Sequence, residues 1–262
     1  MTPEQIHQAA QLLWSTWQSG RQIDALPVGL RPLSRPDAYA VQEAIQRESA
    51  QALYGWKIAA TSAAGQKHIG VDGPLAGRLL KGRVLKDGAS VPLSGNCMRV
   101  MEAEFAFRLA ADLPARADPY SVAEVMQATA ALHVAIEVPD SRFRDFPRAG
   151  AAQLIADNAC ASWFVCGPEV TQDWRHTDLP QFAVTAEKNG KFACAGKGAN
   201  VLGDPCIALT WIANELNRHG TCLRAGEVIT TGTCIVPLAI APGDHVVARF
   251  GDFGRVEARF VA

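Results

Sequence analysis

The stretch RVMEAEFAFRL, residues 99–109, constrains this chain more than any other. Read as a strand, it alternates: Met101, Ala103, Phe105 and Phe107 point one way, Glu102 and Glu104 the other. The apolar row demands a packed layer behind it, which calls for a sheet with a core on at least one face. Two adjacent carboxylates on the other face repel each other and are costly to desolvate, and a divalent cation would remove both penalties. A solvent-facing strand whose polar side carries two glutamates is the alternative, and the pair alone leaves it open.

Helices are expected at the start of the chain. Gln5 to Gln18 places Ile6, Ala9, Ala10, Leu13, Trp14 and Trp17 at helical spacing, and after a Pro-rich bend Asp37 opens a second helix carrying Ala40, Val41, Ala44 and Ile45 on one stripe. From Gly55 the pattern turns to strands. GWKIAA reads as a strand, Thr61 to Gly77 as a Gly-rich loop with one short helix, SVAEVMQATAALH as a helix leading into the strand VAIEV, and CASWFVCG as a further strand. Asn189-Gly190 marks a hairpin. DPCIALTWIANELNRHG is the best-marked helix, with Asp204 as N-cap, Pro205 at the first position and Gly220 as stop. Strands broken at Pro242-Gly243-Asp244 and Gly251-Asp252 complete the chain. The mixture predicts an α+β protein: a helical segment 1–54, then a domain 55–262 on a curved, mainly antiparallel sheet.

Composition narrows the function classes. Net charge is -1 with no block of like charge, which excludes the electrostatic footprint of a nucleic-acid binder. The N-terminus lacks the basic-then-apolar pattern of a signal peptide, and no apolar run approaches the roughly 20 residues of a membrane span. The expected location is cytoplasmic. Seven cysteines without a C-x-x-C pair read as reduced, mostly buried thiols, and six histidines form no H-x-x-x-H pattern that would support zinc hydrolase chemistry.

Other residues have chemical potential and bland alternatives. Glu137 ends an apolar run before Pro139 and Asp140; it is a candidate third oxygen ligand for Mg²⁺ or Mn²⁺, a surface strand end, or a partner for Arg142. Lys57, between Trp56 and Ile58, is either a surface charge or a cation that binds a carboxylate or moves a proton. Asp157 and Asn158 serve a turn or a ligand. Thr230 to Thr233 with Gly232 presents hydroxyls and an amide to a ligand or makes a tight turn.

Taken in order, GWKIAATS, GVDGP, MEAEFAF, AIEVPDSR, ADNA and LRAGEVITTG resemble the hydratase/decarboxylase branch of the fumarylacetoacetate hydrolase superfamily, which includes 2-oxopent-4-enoate hydratases and 4-oxalocrotonate decarboxylases. The resemblance runs from about Asp37 to the C-terminus. It implies a mixed β-sheet roll or sandwich flanked by helices, a homo-oligomer, a Mg²⁺ or Mn²⁺ ion on Glu102, Glu104 and Glu137, and Lys57 as the active-site lysine. Ser62, Leu75, Arg78, Asn158, Cys160, Thr231 and Gly232 are the residues it would set against a small 2-oxo acid, with Arg78 or Arg142 facing any second carboxylate. Two departures stand out. GVDGPLAG puts Leu75 where many hydratases carry an acid, with Asp72 nearby but out of register, and Cys160 stands where many relatives have Ser. The missing acid leaves more room for a decarboxylase. The expected activity is a hydratase of the 2-oxopent-4-enoate type; the alternatives are that decarboxylase, an acylpyruvate-type C–C hydrolase, or a non-catalytic ligand-binding relative.

Overall fold

The computed structural model describes residues 1–262. Its helices are α1 (Pro3–Ser19), α2 (Arg35–Ser49), α3 (Ala63–His68), α4 (Val122–Gln127), α5 (Ala151–Ala156) and α6 (Pro205–Arg218). Its strands are β1 (Leu53–Ala59), β2 (Leu75–Leu80), β3 (Val84–Lys86), β4 (Ser90–Pro92), β5 (Val100–Leu109), β6 (Thr129–Val138), β7 (Trp163–Glu169), β8 (Ala183–Lys188), β9 (Lys191–Lys197), β10 (Val228–Thr233), β11 (Leu238–Ala239), β12 (His245–Arg249) and β13 (Arg255–Val261). The larger sheet runs β2-β1-β10-β5-β6-β7-β3, with β11 added to β5; the smaller runs β4-β13-β12-β8-β9. Most pairs are antiparallel, and only β1–β10, β3–β7 and β4–β13 are parallel. The expected α+β class with a mainly antiparallel sheet and a helical N-terminus is what the chain adopts.

Local chemistry explains the best-marked elements. Thr2 caps α1 in a reciprocal box with Gln5, Pro3 sits in its first turn and Gly20 ends it at φ +64°. Asp204 caps α6 by accepting from the Cys206 amide at 2.7 Å. Asn189 and Gly190, both at positive φ, turn β8 into β9. Two assignments need correction. SVAEVMQATAALH is helical only through Gln127; from Thr129 it is already strand, because pairing with β5 overrides the helix preference of its Ala and Leu residues. The loop expected to reach Gly77 gives way at Leu75 to β2, which pairs along β1. The short elements β3, β4 and α5 carry too few residues to show a period.

One hydrophobic cluster runs through the molecule, from Ala9 and Leu13 of α1 through Val41 and Ile45 of α2 to Phe260 of β13. The apolar row of β5 faces the smaller sheet: Phe105 meets Phe250 edge-on at 5.2 Å between ring centroids, and Phe182 stacks on Phe253 at 4.2 Å beside them. The glutamate face of β5 is thereby aimed at the opposite side of the larger sheet. No helix is long and apolar enough to cross a membrane.

Candidate functional site

Register brings the carboxylates together. In the antiparallel pairing of β5 with β6, Glu102 stands directly opposite Glu137. Like charges in that position destabilise a sheet. Glu104, two residues on, shares their face, and one oxygen from each of the three lies within 4.8 Å of the others. Glu104 and Glu137 are fully buried, while Glu102 is half-buried and lines the cavity in front of them.

Glu104 is held on one side only. Its Oε2 accepts from the Thr230 hydroxyl and from the Gly232 amide at 2.7 Å. The pairing of β10 with β5 shifts register between Thr230 and Thr233, and this irregularity turns the Gly232 amide inward. Gly232 has φ +108°, and a Cβ there would sit 2.2 Å from the Thr61 hydroxyl oxygen, so no other residue fits. The remaining oxygen of Glu104 and both oxygens of Glu137 have no hydrogen-bond partner. Burial, joined by repulsion from Glu102, pushes Glu104 up to about 8. Burial also raises Glu102 and Glu137, against the attraction of Lys57. Unpartnered buried carboxylate oxygens at mutual ligand distance are a donor set for a hard cation, which would offset both burial and repulsion.

Lys57 faces this cluster from β1. Its Nζ lies 3.5 Å from Glu137 Oε1 and donates to the Ala159 carbonyl at 3.2 Å. Burial opposes its charge, but Glu137, Glu102 and Glu104 together outweigh burial and hold its pKa above the ordinary lysine value. Of its three donors, one is spent on the Ala159 carbonyl, and Glu137 stands at ion-pair distance, which leaves donor capacity for a ligand.

Beside the cluster, a buried brace shapes the wall. Asp157 and Arg142 form a fully buried ion pair; Ser141 donates to Asp157 at 2.7 Å, and Arg142 also donates to the carbonyls of Asp140, Ala161 and Asp157. Asp140 accepts from the Cys97 amide at 2.8 Å, and the Trp17 ring of α1 covers the Arg142 guanidinium at 4.4 Å. The brace anchors a run of three non-glycine residues at positive φ, Asn158, Ala159 and Cys160. Such a conformation is unfavourable for each of them and is imposed here by the surrounding bonds. Its result is to aim the Ala159 carbonyl at Lys57.

A cavity of about 720 Å³ opens in front of the glutamates. Lys57, Glu102, Ser62 and Cys160 line it, with Ser62 also capping α3 and burial pushing the Cys160 thiol up to about 12. Gly232 is one layer back, orienting Glu104. Four other residues expected against a ligand are elsewhere. Leu75 is fully buried in the main hydrophobic cluster, where an apolar side chain at that position is drawn. Arg78 pairs with Trp56 across β1–β2, on the sheet face opposite Lys57, and its guanidinium lies 4.5 Å from the Trp56 ring. The Asn158 side chain clamps the backbone of Arg78, accepting from its amide at 2.7 Å and donating to its carbonyl at 2.9 Å. Thr231 points to the back of the sheet and donates to the Phe105 carbonyl at 3.0 Å. Arg142, spent on Asp157, is likewise unable to meet a second carboxylate. Strand alternation, applied to ITTGT, would have singled out Thr230 and not Thr231. Ala159 and the cavity residues Met98, Phe146 and Ile235 have no sequence signal.

The acidic oxygens, the lysine opposed to them and the largely apolar cavity form one site. Residues 82–261 match the family described as fumarylacetoacetate (FAA) hydrolase C-terminal, and the chain belongs to the fumarylacetoacetate hydrolase family. It is 36% identical to a 2-keto-4-pentenoate hydratase of Burkholderia vietnamiensis over 92% of each chain, and 32% identical to a 4-oxalocrotonate decarboxylase of Pseudomonas putida over 86% of this chain and 85% of that one. A solved structure of 4-oxalocrotonate decarboxylase from Pseudomonas putida G7, complexed with magnesium and adipate, superposes with a TM-score of 0.91 at 29% identity, covering 100% of this chain and 99% of the other. The same enzyme has also been solved with calcium and acetate.

Proposed function

We propose that the protein is a divalent-metal-dependent lyase of the 2-oxopent-4-enoate hydratase type. Glu102, Glu104 and Glu137 would hold Mg²⁺ or Mn²⁺, hard ions that accept carboxylate oxygens and keep positions open for water or substrate. When bound, the ion supplies Lewis acidity toward the 2-oxo acid end of the substrate. Lys57 binds the substrate carboxylate with a free donor and moves a proton at the 2-oxygen. The Ala159 carbonyl fixes the direction of that ammonium group, and Gly232 and Thr230 fix that of Glu104. The apolar walls exclude bulk water, which strengthens each of these electrostatic contacts.

The observation that carries this reading is the set of unpartnered carboxylate oxygens facing Lys57 at the inner end of the cavity. Hydration is favoured over decarboxylation of a diacid because Lys57 is the only lysine or arginine on the cavity wall. A distal carboxylate would find no arginine there. The sequence relatives named as hydratases support the same choice.

The test supplies the purified protein and Mg²⁺ with 2-hydroxypenta-2,4-dienoate and with 2-oxohex-3-enedioate, following products by proton NMR and counting CO₂. A 4-hydroxy-2-oxo acid formed without CO₂ is expected; CO₂ from the diacid with no hydration would make the protein a decarboxylase. Glu104→Gln is expected to lose metal binding and turnover together, and retention of both would overturn the site.

A further inference from the structure

The wall of the cavity changes character along its length. On β5, Glu104, Glu102 and Val100 follow each other on one face, and Met98, just before the strand, also lines the cavity. Ile69, Phe146 and Ile235 line the same cavity, together with the exposed Val236. The ionisable side chains lining the cavity are Lys57, Glu102, His68 and the thiols of Cys97 and Cys160. His68 is exposed, with its ring against Phe146 at 5.9 Å between centroids. Size points the same way as polarity. A five-carbon dienol acid fills on the order of 240 Å³ even at about 30 Å³ per heavy atom, against about 720 Å³ of cavity.

Resting on the reading above, we propose that the preferred substrate is a 2-oxo-4-enoate carrying an apolar substituent at C5, whose tail lies along Val100, Met98, Phe146 and Ile235. The carboxylate and 2-oxo group occupy the inner end at Lys57 and Glu102. The tail covers apolar surface that the unsubstituted acid leaves wet. A carboxylate at the tail would be desolvated against Val100 and Met98 without a lysine or arginine to pair with, so diacids are disfavoured.

Two measurements separate this proposal from the one beneath it. With Mg²⁺ present, calorimetry on pyruvate, 2-oxopentanoate, 2-oxohexanoate, 2-oxooctanoate and 2-oxoadipate reads the tail region without turnover. Affinity is expected to rise about threefold to fourfold per methylene, with 2-oxoadipate weaker than 2-oxohexanoate. Equal affinity along the series, or tighter binding of the diacid, overturns the proposal. Turnover of 2-hydroxypenta-2,4-dienoates bearing hydrogen, methyl, propyl or carboxylate at C5 is then compared by kcat/KM. A rise from hydrogen to propyl supports the apolar tail; a maximum at hydrogen or carboxylate refutes it. If none of the dienoates reacts while 2-oxooctanoate binds tightly, the hydratase reading fails and the tail site stands. Met98→Arg is expected to lower 2-oxooctanoate affinity at least tenfold and raise that of 2-oxoadipate. Val236→Arg, at an exposed position of the cavity lining, makes the same comparison should Met98→Arg fail to fold, and no reversal in either variant overturns the assigned path of the tail.

Discussion

Two buried clusters of charge lie beside each other, and they are satisfied to opposite degrees. In the brace, Asp157 accepts from Arg142 and Ser141, and Arg142 spends its remaining donors on backbone carbonyls. In the glutamate cluster, three carboxylate oxygens have no hydrogen-bond partner, with Lys57 as the facing cation. Burial pushes Asp157 up to about 6 against the pull of Arg142, and burial joined by repulsion from Glu102 pushes Glu104 up to about 8. Burial alone therefore does not mark function. A closed network fixes shape, and an open one calls for a ligand to complete it.

The comparison can be broken by substitution. Asp157→Asn leaves the Arg142 charge buried without its partner and is expected to lower folding stability by about 3–5 kcal/mol, measured by denaturant titration; a loss below about 1 kcal/mol would mean the brace is dispensable. Next in size is metal addition. Mg²⁺ at a hundredfold its dissociation constant should stabilise the protein by about 2.7 kcal/mol, read as a rise in Tm at fixed protein concentration. That rise should vanish in Glu137→Gln and persist in Arg78→Met, whose side chain lies on the other face of the sheet. The smallest effect has the opposite sign to the first. In metal-free protein Glu102→Gln removes repulsion from the directly opposed Glu137, so stability should rise by about 0.5–1 kcal/mol. A loss as large as that of Asp157→Asn would place both clusters in one class.

The aspects legible in the sequence are those with short-range causes. The caps of α1 and α6 and the Asn189-Gly190 turn are chosen by adjacent residues. The facing of Glu102 with Glu104 follows from a period of two residues, which needs only that the stretch be a strand. Leu75 and Asn158 do not line the cavity, and motif position alone says nothing about which way a side chain is buried. The same holds for ATAALH, whose composition suits a helix and whose neighbour β5 makes it a strand.

The sequence by itself determined the class of fold, the two-glutamate face and, through resemblance, the family. Only the tertiary structure decided that Glu137 stands opposite Glu102, that Asp157 and Arg142 close on each other, and that the cavity wall beyond Val100 carries no arginine. The physical reason is range: alternation and capping act over two to four residues, whereas register joins positions 35 apart at Glu102 and Glu137, and burial depends on everything packed around them.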